Sequence, residues 1–201
     1  IQKIEILDGE DVRPLVSDKA LAAFRDKALN PAKPVTRGTA QNGDVYFQAR
    51  EAANKYYDAV PDIVARYMGE MGELTGRRYL PFDYYGAPDA ENIIVAMGSV
   101  CDTIKETIDY LAEKEGRKVG LVCVHLFRQF SIKYFNRVLP KSVKRIAVLD
   151  RTKESGTLSE PLAEDVRAAL YGTSIAVYGG RYGLSSKDTS PAQIVAVYDN
   201  L

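Results

Sequence analysis

The sequence is short of several things that carry chemistry. Among 201 residues there is no tryptophan, one histidine (His125) and two cysteines (Cys101 and Cys123). Two cysteines without a Cys-x-x-Cys spacing make neither a disulfide framework nor a cluster-binding run, and they fit a reducing cytoplasm. A solitary histidine, with no second His or Cys at ligand spacing and no serine elbow, offers no metal site and no catalytic triad. Charge of either sign is not in excess: Lys+Arg is 27 and Asp+Glu is 27. That balance excludes a bulk electrostatic grip on nucleic acid or on an anionic membrane surface. No apolar run approaches the roughly 18 residues that a membrane-spanning helix needs. Neither Gly-x-Gly-x-x-Gly nor Gly-x-x-x-x-Gly-Lys-Ser/Thr occurs. The first residue is Ile and no signal-like apolar segment follows. The expectation is a cytoplasmic piece of a longer or processed chain.

What is present is ordinary globular material, 46% hydrophobic and 27% charged with 15 Gly and 9 Pro. A chain of this length buries a core without staples. The pattern divides near residue 80. Before it come helices and loops. Ser17 caps a helix carrying Ala20, Leu21, Phe24 and Ala28, and Asn30-Pro31 stops it. Residues 30–44 are polar and punctuated by Pro and Gly. Residues 50–77 are amphipathic, with Pro61 suited to a first helical turn and Val60, Ile63, Val64, Tyr67, Met68, Met71 and Leu74 on one face. Gly76 suits the helix end.

After residue 80 strands and helices alternate. Residues 93–97, 118–124, 145–149 and 174–178 read as strands. Residues 79–85 could add an edge strand, antiparallel in sense. Helices follow Gly98-Ser99, fill residues 131–138, open at Pro161 and open again at Ser190-Pro191. Strands apolar on both faces, alternating with helices, imply a three-layer α/β/α domain with a mainly parallel, roughly five-stranded sheet over residues 81–201. A helical N-terminal extension and linker covers residues 1–80.

In such folds ligands sit beyond the carboxyl ends of the strands. Gly98-Ser99 reads either as an anion site at a helix start or as a tight turn with a serine cap. Gly179, Gly180 and Arg181, placed after the last strand, read either as a phosphate-binding turn or as backbone needing positive φ. The cluster Asp150-Arg151-Thr152-Lys153-Glu154 is either a solvated loop or a polar interface. Cys101 falls in a first helical turn, where the dipole lowers a thiol pKa. Cys123 reads as core. No catalytic residue and no metal ligand is assigned.

Several runs resemble a known family. They are Pro34-Val35-Thr36-Arg37-Gly38-Thr39-Ala40-Gln41-Asn42, Arg50-Glu51-Ala52-Ala53-Asn54, Tyr57-Asp58-Ala59-Val60-Pro61 and Phe82-Asp83-Tyr84-Tyr85-Gly86-Ala87-Pro88. Val148-Leu149-Asp150-Arg151-Thr152-Lys153-Glu154 and Tyr178-Gly179-Gly180-Arg181-Tyr182-Gly183-Leu184 continue the series. Together they resemble the pyruvate:ferredoxin (flavodoxin) oxidoreductases. The resemblance implies the tail of a pyrimidine-binding domain over residues 1–80, then a domain similar to the transketolase C-terminal domain. It implies a parent enzyme that oxidatively decarboxylates pyruvate to acetyl-CoA with thiamine pyrophosphate, Mg2+, iron–sulfur clusters and CoA. It also implies a homodimeric parent that passes electrons to ferredoxin or flavodoxin.

The family's cofactor motifs lie outside these residues. The piece itself is therefore expected to hold no cofactor and to be inactive alone, with Thr36, Arg37, Asp150, Arg151, Lys153 and Arg181 facing other domains or a second subunit. There are departures: His125 stands where Arg is expected, and Lys153-Glu154-Ser155-Gly156 and Ser159-Glu160-Pro161-Leu162 lack a Pro and a Gly of the family pattern. Losing those two residues changes the stiffness of that loop.

Overall fold

Local capping chemistry starts several of the helices. A computed structural model describes Ile4, residues 6–36 and residues 38–201. The chain falls into two units, Ile1–Tyr79 and Leu80–Leu201.

In the first unit, Asp8 caps α1 (Gly9–Val12) by accepting the N–H groups of Glu10 and Asp11 at 2.9 and 3.0 Å. Ser17 Oγ accepts the Ala20 N–H at 3.2 Å and starts α2 (Asp18–Asp26). That helix stops before Ala28, which is short of the sequence expectation. α3 (Gly43–Ala52) begins inside the stretch that reads as the end of a long loop. α4 (Asn54–Thr75) runs for 22 residues and ends at Gly76, whose φ of 67° is left-handed. Pro61 corrects the expectation of a first-turn proline: it lies inside α4 and is buried. Proline costs a helix interior one N–H bond and crowds the preceding turn, yet α4 continues through it. No residue of α1, α2 or α3 is buried, and Pro61 alone is buried in α4. Phe24 and Phe47 are 75% and 68% exposed.

The second unit has a core. Its elements are β1 (Phe82–Gly86), β2 (Asn92–Ala96), α5 (Val100–Glu115), β3 (Val119–Val124), α6 (Ile132–Val138), β4 (Arg145–Asp150), α7 (Pro161–Ala169), β5 (Ala176–Arg181) and α8 (Pro191–Asp199). The sheet order is β1-β3-β2-β4-β5. β1 pairs antiparallel with β3, and the other three pairings are parallel. Each of Val119–Val124 is buried, as a central strand covered on both faces requires.

Ile93, Val95, Val122, Val124, Ile146 and Val148 face α6 and α7 on one side. Ile94, Ala96, Leu121, Cys123, Ala147 and Leu149 face α5 and α8 on the other. This is the three-layer α/β/α arrangement with a mainly parallel five-stranded sheet. Ser131 Oγ caps α6, and the Ser190 N–H donates to Gln193 Oε1 at 2.9 Å at the start of α8. β5 departs from the expected 174–178 and runs to Arg181, because its pairing with β4 continues through Leu149↔Gly180 and Asp150↔Arg181. Among the described residues no helix is long and apolar enough to cross a membrane.

Candidate functional site

From β2 the chain passes through α5 to β3, on one side of the sheet order. From β4 it passes through α7 to β5, on the other. The order therefore reverses between β2 and β4, and the crevice beyond their carboxyl ends is where a doubly wound sheet places ligands. Gly98-Ser99 follows β2 and Arg151 follows β4, so both sequence candidates border this crevice.

Gly98 takes φ 78°, a conformation that requires glycine here although a Cβ would meet nothing. The Gly98 carbonyl accepts the Cys101 N–H at 3.1 Å, and the Ser99 carbonyl accepts the Asp102 N–H at 3.2 Å. Ser99 itself is helical and its side chain makes no capping bond. The mouth of the crevice is spanned by Tyr182, whose hydroxyl donates to the Met97 carbonyl at 3.3 Å and whose N–H donates to the Asp150 carbonyl at 3.1 Å. Burial pushes the Tyr182 phenol up. The sequence reading singles out the glycines beside Tyr182 and misses the tyrosine. Its signal was an aromatic one residue past a strand end.

Asp150 points inward rather than outward. Its carboxylate is 4% exposed and accepts the N–H groups of Leu162 and Ala163 at 3.0 and 3.1 Å. It thus caps the first turn of α7 from another strand, satisfying donors that the helix cannot. Burial raises its pKa, while the two N–H bonds pull the other way.

Glu160, 3% exposed, accepts the Glu154 N–H at 2.9 Å and pairs with the Arg181 guanidinium. The Glu154 bond and then Arg181 hold its carboxyl below the usual glutamate range. Arg181 is therefore committed to an internal ion pair. Gly179 and Gly180 are strand residues rather than a turn beyond the strand. A Cβ on Gly180 would stand 2.9 Å from Leu149 Cδ2, and one on Gly179 would stand 3.4 Å from Ala163 Cβ and from Ser159 Oγ. Both glycines are paired with β4 along the strand, which leaves no free turn here to hold a phosphate.

Arg151 stays at the surface and its Nε donates to the Gly183 carbonyl at 3.0 Å. Lys153 is exposed, and so is Thr36 in the first unit. Arg37 lies outside the described residues. A cavity of about 280 Å³ opens beside the crevice, lined by Leu149, Arg181, Tyr182, Lys187, Gln193 and Ile194 among others.

His125 does not face this edge as a free base. Its Nδ1 lies 2.8 Å from the Leu80 carbonyl, and its N–H and that of Leu126 both donate to the Pro81 carbonyl at 3.0 Å. The Cys101 thiol, expected to be lowered by the helix dipole, is instead pushed up. Its hydrogen bond to Cys123 comes first and burial second. Cys123 is lowered, because Cys101 stabilises its thiolate.

The two cysteines do not fit an iron–sulfur cluster. Two buried core thiols cannot supply the four thiolates of an iron–sulfur cluster. Among the described residues no group of three or more His, Cys, Asp or Glu is placed to hold a metal ion.

Fold and edge together define a doubly wound α/β domain that follows a helical segment. Residues 90–194, just over half the chain, match the family described as pyruvate:ferredoxin oxidoreductase core domain II. Residues 1–69 match the pyruvate flavodoxin/ferredoxin oxidoreductase thiamine diphosphate-binding family. The chain belongs to the pyruvate:ferredoxin oxidoreductase family.

It is 59% identical to pyruvate:ferredoxin oxidoreductase of Moorella thermoacetica, over 100% of this chain and 17% of that protein. It is 56% identical to pyruvate-flavodoxin oxidoreductase of Enterobacter agglomerans, over the same shares. The chain thus spans about a sixth of the length of these curated relatives. Among solved structures, a 2-oxoglutarate:ferredoxin oxidoreductase from Magnetococcus marinus, with 2-oxoglutarate, coenzyme A and succinyl-CoA bound, shares the fold. That match has a TM-score of 0.50 at 16% identity, covering 86% of this chain and 28% of that one.

Proposed function

We propose that this chain is an assembly portion of a thiamine-dependent pyruvate:ferredoxin or pyruvate:flavodoxin oxidoreductase and performs no reaction by itself. The parent oxidatively decarboxylates pyruvate to acetyl-CoA and passes the electrons to ferredoxin or flavodoxin. Its thiamine pyrophosphate, Mg2+, iron–sulfur clusters and CoA are held by residues outside this stretch. Residues 1–80 are the tail of the pyrimidine-binding domain, and residues 81–201 are the transketolase C-terminal-like domain. The parent is a cytoplasmic homodimer.

The observation that carries this reading is the distribution of apolar side chains. α1, α2 and α3 bury none of their residues, while Val45, Tyr46, Phe47, Tyr56 and Tyr57 are exposed. Exposed apolar side chains crowded into one short helical stretch fit a surface that another domain or subunit covers. Thr36, Arg151 and Lys153 supply a polar rim to the surfaces that other domains or the second subunit cover. Asp150 acts from inside, by holding the start of α7.

The test is turnover. Purified chain with thiamine pyrophosphate, Mg2+, pyruvate, CoA and an electron acceptor is expected to yield no acetyl-CoA, whereas the intact parent yields it. Robust acetyl-CoA formation by the chain alone would overturn the proposal.

A further inference from the structure

β5 is the last strand of the sheet, so its far side faces no other strand. The Ala176 N–H donates to the Lys144 carbonyl at 2.9 Å, and the Tyr182 N–H to the Asp150 carbonyl at 3.1 Å. The ladder to β4 therefore engages alternate residues, and the main-chain groups of Val177, Gly179 and Arg181 point outward. Among the described residues, one hydrogen bond reaches these outward groups, from Arg167 Nη2 to the Val177 carbonyl at 3.4 Å. Open edges are commonly blunted by proline or lysine. The run Ala176-Val177-Tyr178-Gly179-Gly180-Arg181 has neither, and its one charge, on Arg181, is drawn to Glu160. A Cβ on Gly180 would point at Leu149, so Tyr178, two residues earlier and exposed, shares that face. Leu158, between β4 and α7, and Tyr171, between α7 and β5, are exposed near opposite ends of the strand.

We propose that two copies of this chain join edge to edge through β5, antiparallel, about a two-fold axis that passes at Gly179. This builds on the reading of the chain as an assembly portion, and it names one surface at which a second subunit meets it. The register is self-complementary, as a two-fold contact requires. Gly179 lies opposite the partner's Gly179, and Val177 lies opposite the partner's Arg181. These are the outward-facing residues, so each opposed pair exchanges two N–H···O bonds. The long Arg167 bond gives way to a main-chain donor. Between these pairs Tyr178 stands opposite the partner's Gly180, at the positions where facing side chains come closest. A ring laid over a cross-strand glycine covers the backbone that the glycine leaves bare. The same axis brings Leu158 to the strand end where the partner's Tyr171 stands. Strand addition takes its affinity from main-chain bonds and its specificity from alternate side chains. Any extended segment could offer the bonds; a second β5 also supplies, by symmetry, a tyrosine for each Gly180.

Analytical ultracentrifugation of the whole chain over a concentration series reads the mass, and amide hydrogen exchange followed by NMR reads the surface. The mass is expected to rise from 22.2 kDa to twice that value and to stop there. The N–H groups of Val177, Gly179 and Arg181 should exchange slowly in the doubled species and freely in the single one. Those of Tyr178 and Gly180, bonded to β4, should be protected in both. Tyr178→Lys sets a charge against the partner's strand and should hold the chain at 22.2 kDa, while Tyr178→Phe still doubles. Circular dichroism melts establish that both variants are folded. If Tyr178→Lys unfolds, exchange in dilute and concentrated wild-type protein decides alone. A chain that stays at 22.2 kDa, or that doubles without slowing the outward N–H groups, would overturn the pairing. Either result leaves the inactive-alone reading standing, because acetyl-CoA turnover tests that separately.

Discussion

The Tyr198 hydroxyl, near the end of α8, donates to the main-chain carbonyl of Gly120 in β3 at 3.0 Å inside the core. The space at the Gly120 Cα belongs to a second phenol: a Cβ there would stand 2.1 Å from the Tyr84 hydroxyl oxygen and 2.6 Å from its Cζ. Tyr84 is itself held by a 2.5 Å bond to the Ala87 carbonyl. One glycine in the middle of the sheet thus meets two tyrosines from opposite ends of the unit.

Gly120→Ala is expected to overpack this point and cost about 1–3 kcal/mol, read as a lowered denaturant midpoint. Tyr84→Ala removes the obstructing ring. The double variant should therefore lose less than the two single losses added together. Strict additivity would show that the ring is not the obstacle.

Tyr198→Phe keeps the ring and deletes the donor. The expected loss is about 1 kcal/mol, the usual net worth of a buried hydrogen bond. Equilibrium unfolding checks it, and an unchanged midpoint would mean that the Gly120 carbonyl is satisfied elsewhere.

Two carboxyls at the ends of β4 and α7 pull the pH dependence in opposite directions. Glu160 is lowered, so its stabilisation is present above the ordinary glutamate range and is lost as pH falls through its lowered value. Asp150 is raised, so its contribution is fully present below the ordinary aspartate range and is lost as pH rises through its raised value. Unfolding midpoints between about pH 2 and pH 7 test both signs. The deficit of Glu160→Gln should shrink as the pH falls, while wild type should gain on Asp150→Asn. The reverse order for either variant would contradict the assignment.

Excision is expected to separate the two units in behaviour. Residues 80–201 carry both buried clusters and should unfold cooperatively as an isolated piece. The described residues of the 1–79 piece bury almost nothing, and that piece should show fraying helices without a cooperative transition. Circular dichroism melts of the two pieces distinguish the outcomes. A sharp transition in residues 1–79 would remove the support that their exposed side chains give to the assembly reading.

How much of this was legible depends on how far each cause reaches along the chain. Ser17, Ser131 and Ser190-Pro191 announce their helices because a cap acts within three residues. The parallel strands announce themselves because a run such as residues 119–124 is apolar on both faces. The antiparallel edge strand is readable from Tyr and Phe flanked by turn residues.

The remainder depends on distant partners. Pro61 looks like a helix start until the helix around it is seen. Gly179-Gly180 looks like a loop until Leu149 and Ala163 are found against it. Asp150 reads as one member of a charged surface, yet its partners are Leu162 and Ala163. Nothing local marks Cys101 and Cys123 as neighbours, or Tyr182 as the residue that spans the crevice.

β1 runs against the rest of the sheet, so its first residue, Phe82, lies beside Val124 at the carboxyl end of β3. The chain therefore enters the α/β unit at the edge where the ligand crevice opens. The Pro81 carbonyl there holds two main-chain N–H groups. A mechanical load arriving along the polypeptide from residue 79 would fall first on that two-pronged anchor, with the Phe82↔Val124 pair the first rung of the β1–β3 ladder behind it.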